Sequence, residues 1–261
     1  MRFTKMHGLG NDFVILDARN EALGLSAKSI QQIADRHFGV GCDTLVVLEP
    51  SQKGDIFARY YNADGSESGA CGNATRCVAD IIMKEKNIQA CNIEVSYGLL
   101  PCRRTGNLEV EVDMGPTRAV SDLDLSHGGV QNPVIVDMGN PHCVFFVDNI
   151  VDISVETLGV YFESHAAFPH RTNVEFAEIK SRSKIRLRTW ERGSGLTLAC
   201  GSGACATTVA AVQRGLTDRI VEIEVDGGTL YMKWRAVDNH VLMRGAVAYV
   251  FEGILSEWQK V

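Results

Sequence analysis

The chain has no long apolar run. Nothing in it approaches the roughly 18 consecutive apolar residues that a membrane span needs. Residues 1–20, MRFTKMHGLGNDFVILDARN, also lack a continuous apolar signal region. A cytoplasmic chain with no membrane partner is therefore expected. No C-x-x-C pair occurs among the eight cysteines, Cys42, Cys71, Cys77, Cys91, Cys102, Cys143, Cys200 and Cys205. That spacing argues against a structural metal site, and in a reducing compartment all eight are expected as thiols. Nor is there an excess of positive charge: 26 Lys+Arg against 32 Asp+Glu give a net charge of −6. Even SRSKIRLR (181–188) reads as a strand with one solvated face, so a nucleic-acid partner is disfavoured. No segment is low in complexity. With 45% hydrophobic and 22% charged residues, the chain can bury one large core or two smaller ones.

What the sequence does have is a repeat. Cys200 stands in LACGSGACATT (198–208), small residues at the start of an apolar helical pattern. A single cysteine in such a place reads as a small buried hydrophobe. The pattern occurs twice, however, as ACGNATRCVADII (70–82) and ACGSGACATTVAA (199–211). The offset, 200 − 71 = 129, is about half the chain. The same offset carries Asn11 of GLGN onto Asn140 of MGNPH. It carries Asn62 of YYNADGS onto Glu191 of TWERGS, and Thr44 of GCDTLV onto Asn173 of RTNVEF. Four positions in one register without gaps imply a duplicated architecture, two similar halves facing each other.

The coarse element pattern repeats too. RFTKMHGL and FVILDA, then PVIVDM and CVFFVD, read as strands opening each half. SAKSIQQIADRH reads as a helix with Ile30, Ile33, Ala34 and His37 on one face, and VETLGVYFESH as a weaker one. Each cysteine motif then feeds a helix. Ala74, Cys77, Val78, Ile81 and Ile82 follow helical spacing in the first, and Ala204, Thr208, Ala211 and Val212 in the second, with Gly215 as a C′ stop. NIEVSYGLL and LEVEVDMG, then IVEIEVDGGTLYMKW, HVLMRGA and AYVFEGIL, supply further strands, with a hairpin turn at DGG (226–228). The result is a strand-rich α+β pattern with one helix held inside each curled sheet.

A cysteine at a helix N-terminus has specific chemistry. The dipole and the unbonded N–H groups lower a thiol pKa from about 8.5 towards neutrality. The same N–H groups hold an anion such as a carboxylate, and Gly72, Gly201 and Gly203 permit a close backbone approach. Two such thiols facing one α-carbon suit a two-base racemisation, in which one removes the proton and the other delivers a proton to the opposite face. Neither a convincing Schiff-base lysine motif nor a metal cluster is evident, so no cofactor is expected. Cys42, Cys77, Cys91, Cys102, Cys143 and Cys205 are expected in packing roles, and His7, before a glycine turn, in a structural one.

Five blocks in order resemble the signatures of the diaminopimelate epimerase family: MHGLGNDF (6–13), NADGSESGACGNATRC (62–77), MGNPHC (138–143), RTNVEF (171–176) and WERGSGLTLACGSGACA (190–206). The resemblance runs from residue 3 to about residue 254. It implies two pseudo-symmetric α+β domains, 1–118 and 119–261, each a curled mixed or antiparallel sheet around a central helix. The final C-terminal strand would close the first. It further implies interconversion of LL- and meso-diaminopimelate without cofactor, by Cys71 and Cys200, in a homodimer. Carried over to matching positions, Gly72, Asn73, Gly201 and Ser202 would hold the reacting carboxylate. Asn11, Asn62, Asn140, Asn173, Glu191 and Arg192 would read the amines and the distal carboxylate. His142 and Glu191 would tune the thiols. Phe251 falls at a dimer contact where the family often has tyrosine. Thr44 replaces the family's usual glutamine, and its offset partner Asn173 marks it as site-facing. Ala70 and Ala74 also differ from common choices. Two other readings remain: a related racemase acting on another amino acid such as histidine, and a non-catalytic carboxylate-binding protein.

Overall fold

The repeat in the residues is a repeat in strand pairing. The structure, a computed structural model, describes residues 1–69 and 71–256; Ala70, at the head of the first cysteine motif, and 257–261 lie outside the described residues. The chain divides into two units, Met1–Val112 with Gly245–Val261, and Asp113–Arg244.

In the first unit, β1 (Arg2–Gly8) pairs with β2 (Asn11–Asp17), whose apolar run Phe13–Leu16 is buried throughout, as an antiparallel hairpin. After α1 (Ala27–Ala34), β3 (Thr44–Glu49) joins β2 in parallel, with Phe13 opposite Thr44. β4 (Ile56–Asn62) returns antiparallel, with Thr44 opposite Asn62, and β5 (Glu67–Ser68) folds back on it. After α2 (Gly72–Lys86), β6 (Ala90–Val95) runs parallel to β4, and β7 (Gly98–Gly106) and β8 (Glu109–Pro116) continue as a meander.

The second unit holds β9 (Ala119–Asp122), the short pair β10 (Ser126–His127) and β11 (Val130–Gln131), β12 (Val134–Asp137) and β13 (Pro141–Val147). Then come α3 (Val155–Glu163), β14 (Asn173–Ser181), β15 (Lys184–Glu191) and β16 (Gly195–Thr197). α4 (Gly201–Gln213), β17 (Ile220–Val225), β18 (Gly228–Trp234) and β19 (His240–Ala246) follow. β12 pairs antiparallel with β13, β13 parallel with β14, β14 antiparallel with β15, β15 parallel with β17, and β17, β18 and β19 form a meander. Each step retraces the first unit. The register matches as well: Phe13 opposite Thr44 becomes His142 opposite Asn173, and 142 − 13 = 173 − 44 = 129. β20 (Ala248–Ile254) lines β1 in the first unit as β9 lines β12 in the second.

α2 and α4 are the central helices. α2 packs against β1, β2, β4, β6 and β7, and is buried from Gly72 to Met83 except at Ile81. α4 packs against β12, β13, β14 and β18. Enclosure explains the small residues, and two enclosed hydroxyls bond back to their own helix: Thr75 Oγ1 donates to the Cys71 carbonyl (2.9 Å) and Thr208 Oγ1 to that of Ala204 (2.9 Å). Both helices end in the same 6→1, 5→2 motif. Ile88 and Asn87 bond back to Met83 and Lys84 in one, Leu216 and Gly215 to Ala211 and Val212 in the other. Gly215, at φ +68°, is the expected stop.

α1 corrects one expectation. It ends at Ala34, because the Asp35 carboxylate caps the N–H groups of His37 and Phe38 (2.7 Å each). His37 therefore lies beyond the helix and is exposed, while Ile30, Ile33 and Ala34 pack on the sheet. The β1–β2 hairpin also encloses an ion pair. Buried Lys5 donates to Asp12 (2.6 Å) and to the Gly41 carbonyl, and Arg36 forks onto both Asp12 oxygens (2.8 and 3.0 Å). Among the described residues, no helix is long and apolar enough to cross a membrane.

Candidate active site

Each central helix starts from a cysteine. Cys71 is the N-cap of α2 in extended backbone (φ −137°, ψ 109°), and Cys200 is the N-cap of α4 (φ −110°, ψ 112°). The first turn of a helix leaves N–H groups without an intrahelical acceptor. Gly72 and Asn73, and likewise Gly201 and Ser202, therefore stand at the positive end of a helix dipole.

In the first unit the half-buried Cys71 thiol donates to Asn11 Oδ1 at 3.6 Å, and Asn73 Nδ2 donates to the same oxygen at 3.2 Å. Asp43 turns the Asn11 amide this way by accepting its Nδ2 at 2.8 Å, and Arg36 holds Asp43 at 2.7 Å. Thr44 is buried in register between Phe13 and Asn62. Asn62 is exposed at the end of β4 and donates to Ser66 Oγ (3.0 Å). His7 accepts the Gly10 N–H (3.3 Å), a turn contact.

In the second unit the buried Cys200 sulfur accepts the Gly203 N–H (3.3 Å) and lies 3.7 Å from Ser202 Oγ. Asn140 Nδ2 donates to Ser202 Oγ (3.3 Å), and Asn140 Oδ1 meets His142 Nε2 (3.1 Å). His142 Nδ1 lies 2.7 Å from Glu175 Oε1. Asn173 donates to the Pro141 carbonyl (2.9 Å) and accepts the Arg192 N–H (3.0 Å). Thr197 Oγ1 donates to Glu191 (2.5 Å). The exposed Arg192 guanidinium donates to the His170 carbonyl (3.1 Å). Phe251 is elsewhere, on β20, edge-on to Phe3 at 5.8 Å.

The offset extends to hydrogen bonds. Asn11 with Asn73, and Asn140 with Ser202, are one pair displaced by 129 (140 − 11 = 202 − 73). The amides are reversed, though. Asn11 gives its oxygen to the helix and its nitrogen to Asp43, while Asn140 gives its nitrogen to the helix and its oxygen to His142.

The thiol environment departs from the dipole argument. Burial pushes the Cys200 thiol well above its ordinary pKa, and the acidic Glu191 and Glu175 push the same way. The Gly203 N–H and Ser202 oppose this without outweighing it. Burial likewise raises Glu191, against the bonds from Thr197 and Cys200 that lower it. Burial and the two carboxyl groups outweigh the helix position at this thiol. Sequence reasoning passed over Asp43 and Glu175. The signal for Glu175 was an acid in the apolar run TNVEFA, where the first half has Val46 at the same offset (175 − 129 = 46). Asp43 had no comparable signal. Among the described residues, no group of three or more His, Cys, Asp or Glu could hold a metal ion.

A family model described as diaminopimelate epimerase matches residues 3–120 and 134–250. A protein of Rhodospirillum centenum named diaminopimelate epimerase is 50% identical, with 98% of this chain and 92% of that one aligned. Another of that name, from Acidiphilium cryptum, is 52% identical over 97% of this chain and 95% of its own length. Among solved structures, a predicted epimerase from Pseudomonas aeruginosa has a TM-score of 0.74 at 17% identity, covering 98% of this chain and 99% of that one. A probable proline racemase from Agrobacterium radiobacter gives 0.73 at 12% identity, over 98% and 92%. At such identities these structures are alike in fold.

Proposed function

Because this chain belongs to the diaminopimelate epimerase family, we propose that it interconverts LL- and meso-diaminopimelate without a cofactor, Cys71 and Cys200 acting as the acid–base pair. One thiolate takes the α-proton, and the other cysteine's thiol returns a proton to the opposite face. The observation that carries this reading is the paired helix starts, each a cysteine N-cap with an amide or hydroxyl two residues on, bonded to an asparagine at the same offset. Gly72, Asn73, Gly201 and Ser202 bind the α-carboxylate and stabilise charge as the proton leaves. Asn11, Asn62, Asn140, Asn173 and Arg192 read the amines and the distal carboxylate, and Glu191 and His142 adjust the Cys200 side. A cytoplasmic, reducing setting keeps both thiols competent. The names of the relatives favour this substrate over another amino acid. The test is incubation of either stereoisomer in deuterated water, where epimerisation with α-deuterium in the product is expected and an inert substrate would overturn the reading.

Thr44 is part of the proposed site, directly opposite Phe13 on one neighbouring strand and Asn62 on the other. Thr44→Val keeps the shape and removes the hydroxyl. A hydrogen bond to a charged amine is worth about 1.5–3 kcal/mol, and water replaces much of it. KM for diaminopimelate is expected to rise about 10-fold or less, with the thermal midpoint unchanged. Wild-type kinetics would assign Thr44 to the strand alone.

We also propose a homodimer contact through β20. Phe251 is 49% exposed there, beside exposed Val250 and Ile254, and an apolar strip on one strand suits a second copy. Light scattering is expected to show a dimer for the wild type and a monomer for Phe251→Asp. A monomeric wild type would remove the proposal.

A further inference from the structure

Glu175 is fully buried inside β14 and takes no part in the proposed proton transfers or substrate contacts. Its Oε1 lies 2.7 Å from His142 Nδ1, while its Oε2 is buried without a hydrogen-bond partner among the described residues. α4 lies directly over it, since a Cβ at Gly203 would come 2.7 Å from Oε1.

The hydrogen bonds determine the protonation of the pair. Asn140 spends its nitrogen on Ser202 and offers His142 only an oxygen. An amide oxygen accepts, so Nε2 carries a proton. Nδ1 and Oε1 then need a second proton between them, because each is otherwise an acceptor. His142 and Glu175 share it, as imidazolium with carboxylate or as imidazole with carboxylic acid. Burial raises the Glu175 carboxyl above its ordinary range, and His142 and the Cys143 N–H oppose this without outweighing it. The other titratable groups that face it are the Cys143 and Cys200 thiols and Glu191.

The fold does not require the pair. At the register-matched places of the first unit stand Phe13 and Val46, both fully buried. The same sheet closes on an apolar pair there, so an acid and a histidine here serve something other than packing.

We propose that Glu175 is a positioning residue for the reaction. It fixes the rotation and proton of His142, and through Asn140 and Ser202 it fixes the polar wall beside Cys200. This rests on the proposed role of Cys200 as one of the reacting thiols. An amide does not readily pass a proton along, so the chain from Glu175 to Ser202 orients groups rather than conducting protons. Orienting partners of a functional histidine typically matter by about 10- to 100-fold.

Glu175→Gln keeps the shape and changes the proton count. Its kcat is expected to fall about 10- to 100-fold with little change in KM, and the pH profile of kcat should change. In 15N-histidine-labelled protein, the downfield Nδ1 proton of His142 should be present in the wild type and lost in the variant. Glu175→Asp should recover part of both. The double variant His142→Phe/Glu175→Val, which copies the first unit's own pair, should fold with a thermal midpoint at or above the wild type's and remain inactive. A Gln variant with wild-type kcat, pH profile and Nδ1 signal would overturn the inference while the proposed reaction stands. A His142→Phe variant epimerising at the wild-type rate would overturn the site reading, and this inference with it.

Discussion

Cys71→Ala and Cys200→Ala should each lower epimerisation by about 10⁴-fold, the upper end of what a positioned acid or base supplies. The two losses should be similar, since either proton transfer alone leaves the reaction incomplete. The fold should survive both changes. The Cys71 side chain makes no cap bond to its helix, so alanine removes little there. The Cys200 sulfur accepts the Gly203 N–H, and a lost cap costs about 1 kcal/mol, or a thermal shift of about 2–4 °C in a chain of this size. In the wild type, early product in deuterated water should carry deuterium at the α-carbon while the remaining substrate is still unlabelled. Mass spectrometry of the separated stereoisomers reads this directly. Early product that retains the substrate's own proton would point to a single base.

Asp12→Asn should destabilise the fold strongly. Asp12 is the acidic centre of a network in which Lys5 and Arg36 converge. Removing its charge leaves Lys5 buried and uncompensated, which costs about 3–5 kcal/mol. The pH dependence follows from the shift. Burial alone would raise the Asp12 carboxyl, but bonds from Arg36 and Lys5 outweigh it and hold the group far below the usual carboxylate range. The folded pKa is thus depressed, so the contribution is present above the unfolded value of about 3.9 and is lost as pH falls towards the folded one. The gap in urea midpoint between wild type and variant should be widest near neutrality and close in acid. An equal gap at both ends would place the damage in packing instead of charge.

The duplicated architecture was legible because its marks are local. Cys71 and Cys200, Asn11 and Asn140, and Thr44 and Asn173 keep one spacing, and the strand register preserves it. Gly215 and the DGG turn were legible for the same reason, as short-range backbone chemistry. What stayed hidden depends on partners distant in sequence. The periodicity around Ile30 and Ile33 ran on to His37, but the Asp35 carboxylate ended the helix first. The Cys200 thiol looked acidic from its helix position, yet enclosure and two carboxyl groups from β14 and β15 reverse that. Asp43 turns Asn11 from 32 residues away, a relation no spacing rule contains.

The pairing of β20 with β1 bears on the order of synthesis. The Met1 ammonium donates to the Leu255 carbonyl (3.0 Å), and the Leu255 N–H donates to the Met1 carbonyl (2.7 Å). β1 is therefore made long before its partner β20. Meanwhile the second unit, continuous from Asp113 to Arg244, has every strand it needs. Folding on the ribosome should thus finish in the second half before the first. The nascent first half carries an unpaired β1 edge until the whole second unit has been made, and that edge is where another chain could add a strand.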